Sequence, residues 1–515
     1  MGRSVICANG AIAGLRYSEA MASIKQKMAR GAAWMMLASF SNRAVGLVST
    51  LVLARLLVPA DFGLVAMAIS VIAIMELLTA FSFDSALVSN HSAPPEHYHT
   101  AWTLNIIFTA CGTVVLMALA WPASVFYNDP RLFPVLAVIG GSLLFQAFEN
   151  IGVVAFRKEM TFGREFTFMM GKRLAAVLVT IPIALMTHSY WALVVGMVAG
   201  RLTGVVLSYG MHPFRPHLSL QGWRELLRFS RWLLINNVLN LLNTRSTDFI
   251  IGKTGGATAL GLYSLSYEIS TLPTSEIVAP INRAVLPGYA QMSRERAELQ
   301  RGYLDVMGAI ALLALPASFG LAAVAELAVF VLLGPKWAAT VPLVSVLAFY
   351  GALTALDSNS YPAYLVLGRP SIASGLAATR VAILLPALIV LTSQFGALGA
   401  AWSMLAVGCV LTPAGLLILF RLLQIRLLSF LAILWRPATS ALSMFLVVRE
   451  LMPPDVATLS WRVSVLHLVA LIAAGAVTYL GVLLLLWRLS GGRGQLEQLI
   501  VDRLRLLLPW RRRAA

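Results

Sequence analysis

Residues 371–420 read SIASGLAATRVAILLPALIVLTSQFGALGAAWSMLAVGCVLTPAGLLILF, with one charge, Arg380, in the whole stretch. It divides into two apolar runs, 371–393 and 396–420. Each is long enough to cross about 30 Å of hydrocarbon as a helix. The runs are continuously apolar instead of alternating, which excludes a β-barrel. Working outward, similar runs fall at 31–57, 62–83, 101–127, 132–156, 166–188, 190–211, 230–252, 258–288, 303–334, 338–366, 428–448 and 463–487. The sequence therefore predicts about 14 transmembrane helices. Several contain proline, as at Pro273, Pro280 and Pro287. Membrane helices tolerate this where neighbours re-satisfy the backbone. Composition agrees: 59% of residues are hydrophobic and 12% charged, against about 25% charged in soluble domains. The expected class is an all-α membrane protein, a transporter and not an enzyme.

Charge placement sets the expected orientation. The segments read as cytoplasmic hold 25 of the 39 Lys and Arg, including Lys25, Lys27 and Arg30, Arg224 and Arg228, and Arg511 to Arg513. The opposite side holds six: Arg55, Arg131, Lys253, Lys336, Arg449 and Arg462. The positive-inside rule places both termini in the cytoplasm. The net charge of +17 is then topology, and no nucleic-acid partner is expected because the cations are dispersed among short loops. Cys7, Cys111 and Cys409 lack metal-ligand spacing, so neither a disulfide framework, a metal nor a cofactor is expected. Residues 1–20 are a poor signal peptide, because Asn9 and Gly10 break the apolar stretch. At the other end, Leu496, Leu499, Ile500, Leu504 and Leu507 recur at helical spacing and predict a basic helix on the membrane surface.

A weak repeat runs at an offset of 198 residues. It pairs Trp34 with Trp232, Asn42 with Asn240, Arg55 with Lys253, Gly63 with Gly261 and Leu64 with Leu262. An offset of six helices preserves orientation, as in parallel-repeat transporters. The expected organisation is an N-terminal extension (1–30), an N-lobe (31–211), a cytoplasmic linker (212–229), a C-lobe (230–420), two extra helices (421–487) and a basic tail (488–515).

Leu53-Ala54-Arg55-Leu56-Leu57 followed by Asp61-Phe62-Gly63 resembles the first loop of the Wzx-type polysaccharide flippases, members of the multidrug/oligosaccharidyl-lipid/polysaccharide (MOP) superfamily. Gly261-Leu262-Tyr263, Leu272-Pro273, Pro280 and Leu286-Pro287 resemble their eighth span. Gly368-Arg369-Pro370 and Gly396-Ala397-Leu398-Gly399-Ala400 resemble later ones. The resemblance covers about residues 21–450, in family order, and the N-terminal extension departs from it. It implies two lobes around a cavity that opens alternately to each side. It also implies transport of undecaprenyl-pyrophosphate-linked oligosaccharide for O-antigen, capsule or exopolysaccharide synthesis. A polysaccharide polymerase and export proteins are the implied partners.

Moving a pyrophosphate through a low-dielectric region requires buried cations. Basic residues within spans are Arg43, Lys172, Arg173, Arg201, Arg245, Arg283, Arg380 and Arg436. Lys172, Arg173 and Arg436 read as snorkelling side chains. Arg201 lies within Gly196-x-x-x-Gly200-x-x-x-Gly204, whose glycines suit close helix packing, and it is open between cavity and structural pairing. Arg43 with its neighbour Asn42, Arg245, Arg283 and Arg380 are the deeper candidates for substrate. Asn236, Asn240 and Asn243 put amides on one face of the seventh span, suited either to sugar hydroxyls or to interhelical hydrogen bonds. Arg245 and Asp248 are spaced to pair. The other intramembrane acids are Glu76, Glu149, Glu268, Glu276, Glu326 and Asp357. Of these, Glu268, Glu276 and Asp357 are candidates for ion coupling, and Asp248 is either a fourth or a neutralising partner.

Three alternatives remain open at this point. A membrane polymerase or ligase usually carries a large outer loop of catalytic residues, whereas the longest here, 449–462, has no concentrated chemistry. A drug/cation antiporter of the same superfamily generally has 12 helices and fewer buried cations. A peptidoglycan-precursor flippase would share the helix count and the cations.

Overall fold

The structure is a computed structural model. It describes residues 39–79, 94–159, 161–224, 233–454 and 459–491, with the single positions 34, 37, 87 and 456. Residues 1–30, most of the basic tail and the side chains of Asn236 and Arg283 lie outside the described set. The described residues form helices and no strands. Helix α1 covers 39–56. It is followed by α2 (Pro59–Thr79), α3 (Pro95–Tyr127), α4 (Leu132–Ala147), α5 (Phe162–Thr187), α6 (Trp191–Met211), α7 (Leu233–Met292), α8 (Arg296–Ala323), α9 (Val341–Asp357), α10 (Pro370–Leu423), α11 (Leu427–Glu450) and α12 (Trp461–Leu489).

Among the described residues, eight helices are long and apolar enough to cross a membrane, nine if the bent pair Leu132–Ala147 and Ile151–Lys158 is one span. Fourteen are not counted this way. The single stretch α10 holds two of the expected spans. It is broken at Gly396, whose φ of 59° and ψ of −142° are non-helical. Helix α7 is broken likewise at Gly256 (φ 69°, ψ −171°). A positive φ with extended ψ is open to glycine and costly for other residues. The arms of α7 (233–255 and 257–292) and of α10 (370–395 and 397–423) are called a and b below. Met186, Leu178, Val206 and Val477 are 70–83% exposed. That pattern requires lipid around them, because water would oppose so much apolar surface. The chain is a multi-pass membrane protein.

The chain divides into two compact units: Met1–Leu57, Val71–Phe126 and Pro130–Val238, and Val58–Ser70, Tyr127–Asp129 and Leu239–Ala515. In the first unit, α5 and α6 form an antiparallel hairpin. Gly196 of α6 sits where a Cβ would overlap Thr180 Oγ1, and Gly200 packs on Ala176, so the backbones approach closely as small-residue stripes allow. After α6, residues 212–222 lie as an extended strap, held by side chains at the ends of the helices. Asn150 Nδ2 donates to the Phe214 carbonyl at 2.6 Å. The His217 amide donates to His99 Nδ1 at 3.1 Å, and the Ser219 amide to Thr103 Oγ1 at 2.9 Å. His99 and His217 stack at 3.5 Å. His99 precedes the apolar part of α3. Burial and the facing His217 lower its pKa, with Glu96 opposing. His212, whose Nδ1 accepts from the Phe214 amide at 3.2 Å, is lowered by burial, with Glu159 opposing and Arg164 and Arg215 assisting.

In the second unit, α8 packs between α9 and α11, and α12 covers α11. Their shared core is built on Tyr289, Tyr303, Leu327, Leu419 and Leu423. The start of α2 crosses the start of α7b with no side chain between them. A Cβ at Gly63 would overlap the Ala257 carbonyl oxygen, and one at Gly261 would overlap the Pro59 carbonyl oxygen. Gly63 and Gly261 are the pair matched by the 198-residue repeat.

Candidate functional site

The seventh span carries the unusual residues, and its break at Gly256 turns both arms of α7 toward α9 and α10. Between them lies a cavity of about 670 Å³, within the size range of small-ligand sites. Helix α7a contributes Asn240, Asn243, Arg245 and Asp248; α7b contributes Tyr263, Ser264 and Tyr267. From α9 and the short helix after it come Tyr350, Asp357, Tyr361 and Tyr364, and from α10a comes Arg380. The wall is completed by Leu376, Leu384, Met404 and Leu411.

Two ion pairs face this space. Arg245 Nη1 lies 3.2 Å from Asp248 Oδ2, and Ser70 Oγ donates to the same oxygen at 3.2 Å. Across the cavity Arg380 Nη2 reaches Asp357 Oδ2 at 3.5 Å. The first pair is one helical turn and legible from spacing. The second joins two helices through residues 23 positions apart, which no local pattern reveals. Asn243 uses its Nδ2 on the Leu239 carbonyl at 2.9 Å and the Ala377 carbonyl at 3.4 Å. Its Oδ1 is buried without a partner. Tyr263, Tyr267 and Tyr350 form a relay of rings 6.2 and 6.3 Å apart, and the Tyr364 hydroxyl is tied to the Gly415 carbonyl at 2.8 Å.

The structure thus gathers Asn240, Asn243, Arg245, Asp248, Asp357 and Arg380. It does not bring Glu268 or Glu276 into the lining; Glu268 is exposed one position past Tyr267. Asn42 and Arg43 lie on α1 in the first unit, with Arg43 exposed. Arg201, also in the first unit, donates to the Ile139 carbonyl at 2.7 Å and to Ser142 Oγ, tying α6 to α4. Lys172 pairs with Glu149. The tyrosines of the lining are not among the candidates that charge and amide patterning single out. Their signal was there: Tyr263 and Tyr267 are spaced i, i+4, and Tyr361 and Tyr364 i, i+3, which puts each pair on one face. Among the described residues, no cluster of three or more His, Cys, Asp or Glu could hold a metal.

A family model described as polysaccharide biosynthesis protein matches residues 52–342. The chain belongs to that family. The match takes in all of α7 and ends before Asp357 and Arg380. This polysaccharide biosynthesis protein is 23% identical over 408 residues to the lipopolysaccharide biosynthesis protein WzxC of Escherichia coli K12, covering 76% of this chain and 80% of that one. It is 24% identical over 459 residues to the succinoglycan biosynthesis transport protein ExoT of Rhizobium meliloti 1021, covering 88% and 92%. Among solved structures, the lipid II flippase MurJ in an inward closed conformation matches with a TM-score of 0.72 over 88% of this chain and 98% of that one, at 12% identity. That last likeness is one of fold. The Wzx-type resemblance carried by the short motifs, and the MOP-like helical architecture it implied, both stand.

Proposed function

We propose that this chain is a flippase that carries undecaprenyl-pyrophosphate-linked oligosaccharide repeat units across the bacterial inner membrane for exopolysaccharide, capsule or lipopolysaccharide synthesis. The observation that carries this reading is the second-unit cavity. A chain surrounded by lipid keeps two ion pairs and five tyrosines in one place, and such groups are retained inside membranes where a polar substrate passes. Family membership supplies the pathway: the relatives named above are polysaccharide biosynthesis and transport proteins. Alternating exposure of the cavity to each side would carry the substrate across. Both termini lie in the cytoplasm, on the charge asymmetry of the loops. A polysaccharide polymerase and export proteins would take the product.

The test is deletion of the chromosomal copy in its host. Surface polysaccharide should fall and lipid-linked repeat units should accumulate on the inner leaflet, with both reversed by the intact chain. Unchanged surface polysaccharide with an unchanged lipid-linked pool would refute the reading. For the orientation, a single cysteine at residue 220 should react with a membrane-impermeant maleimide only from the cytoplasmic side; reaction from the periplasm would reverse it.

A further inference from the structure

We infer that the second-unit cavity holds the glycan of the transported lipid, in an uncharged or charge-balanced form, and not its pyrophosphate. This rests on the transport reading above. Charge supplies the first reason. The lining carries Arg245, Asp248, Asp357 and Arg380 and no other Lys, Arg, Asp or Glu among the described residues. Each guanidinium already has its own carboxylate, at 3.2 and 3.5 Å, so the lining is formally neutral. A pyrophosphate carries two or more negative charges. Even if it used the N–H groups that each guanidinium has to spare, the two carboxylates would stay within the same lining, close to the phosphates, where like charges repel and water is scarce.

The chemistry of the wall supplies the second reason. Sugars present hydroxyls that both donate and accept, around rings whose C–H faces are apolar and pack on aromatic planes. The cavity offers acceptors in Asp248 and Asp357 and donors in the two guanidinium forks. It offers ring faces in Tyr267 and in Tyr361, which is 56% exposed. An ion pair can serve a hydroxyl at each end without separating, because a hydroxyl brings both a proton and a lone pair. A phosphate, which accepts only, uses one end and is repelled by the other. The third point is size: about 670 Å³ suits a polar headgroup lined on several sides.

The experiment uses the full chain in lipid nanodiscs and two probes. One is undecaprenyl pyrophosphate bearing no sugar. The other is the host's repeat unit released from its lipid by mild acid and freed of phosphate. Saturation-transfer NMR reads the free repeat, and quenching of protein fluorescence reads the sugarless lipid. The free repeat should bind the unaltered chain, and Tyr361→Ala should weaken it about three- to tenfold, the value of one aromatic contact. Affinity for the sugarless lipid should stay within about twofold. Because Tyr361 is exposed, this variant does not threaten the fold. The second variant, Arg245→Gln with Asp248→Asn, keeps the lining neutral and should also weaken the free repeat while sparing the sugarless lipid. Failure of the free repeat to bind, or an equal loss of sugarless-lipid affinity in either variant, overturns the assignment. If deletion of the chain nonetheless makes lipid-linked repeats accumulate, the transport reading survives and only the glycan assignment falls.

Discussion

The two units hold the same kinds of charged residue and employ them differently. In the first unit, Arg201 reaches a helix carbonyl on α4, and Lys172 pairs with Glu149 beside the close-packed Gly204. These cations fasten α4 and the turn after it to the α5–α6 hairpin that the glycine stripe draws together. In the second unit, Arg245 and Arg380 pair with carboxylates on the wall of a cavity. Their pairs leave donors and acceptors facing open space. An intramembrane arginine is therefore not a substrate residue by type. What decides is whether its partner is backbone across a packed crossing or a carboxylate beside a void.

The comparison can be broken most sharply where the first unit is tightest. Gly196→Leu would drive a side chain into Thr180 on α5. Overpacking of about 1–3 kcal/mol or more is a large share of a marginal stability. The expected result is loss of most detergent-extracted folded protein by fluorescence size-exclusion, and wild-type yield would show that the hairpin can spread. Next in size is Asp248→Asn. Breaking a fully buried pair costs about 3–5 kcal/mol; here the cost should be lower, because Arg245 is 37% exposed. Thermal stability should fall in the single variant and return in Arg245→Gln with Asp248→Asn, while export stays impaired in both. Stability unchanged by Asp248→Asn, with export abolished, would move Asp248 from pairing to ion coupling.

Arg201→Gln should lose about 1.5–3 kcal/mol, the value of hydrogen bonds from a charged donor. Export per folded molecule should nevertheless be normal. If export is lost at normal yield, the first unit also uses its charges on substrate, and the contrast between units fails. The smallest effect concerns the strap. Both His99 and His212 accept a backbone amide on Nδ1 and so must be neutral there, and both have lowered pKa values. The unfolded strap therefore binds protons first as pH falls. Its stability is complete above about pH 6.5 and declines below. Hydrogen exchange at Phe214 and His217, corrected for intrinsic rates, should show faster opening at pH 5.5 than at 7.5. His99→Phe should remove part of that dependence, and identical protection at both pH values would show that the imidazoles hold nothing.

Much of the fold was legible because lipid imposes a length and a composition. The gap read between 393 and 396 falls on the break of α10, and the gap between 252 and 258 contains the break of α7. A run of twenty apolar residues ends where the hydrocarbon does. The Arg245–Asp248 pair was legible because helical spacing is local. The Asp357–Arg380 pair was not, because it depends on how α9 and α10a cross. The tyrosines are hard to read for a different reason: an aromatic residue in an apolar span looks like packing until a cavity appears beside it. The sequence alone allows Arg201 two roles, since nothing in it says that a carbonyl of α4 lies within its reach.

The crossing of Gly63 and Gly261 carries a consequence for descent. Each glycine occupies the place where the other helix's backbone passes, so the two positions are one constraint written twice. Two positions matched by the 198-residue offset thus meet directly at this crossing. Neither site has a side chain to surrender, so a substitution at one has no repair at the other. Descendants of this chain should keep both glycines or lose both together with the crossing itself.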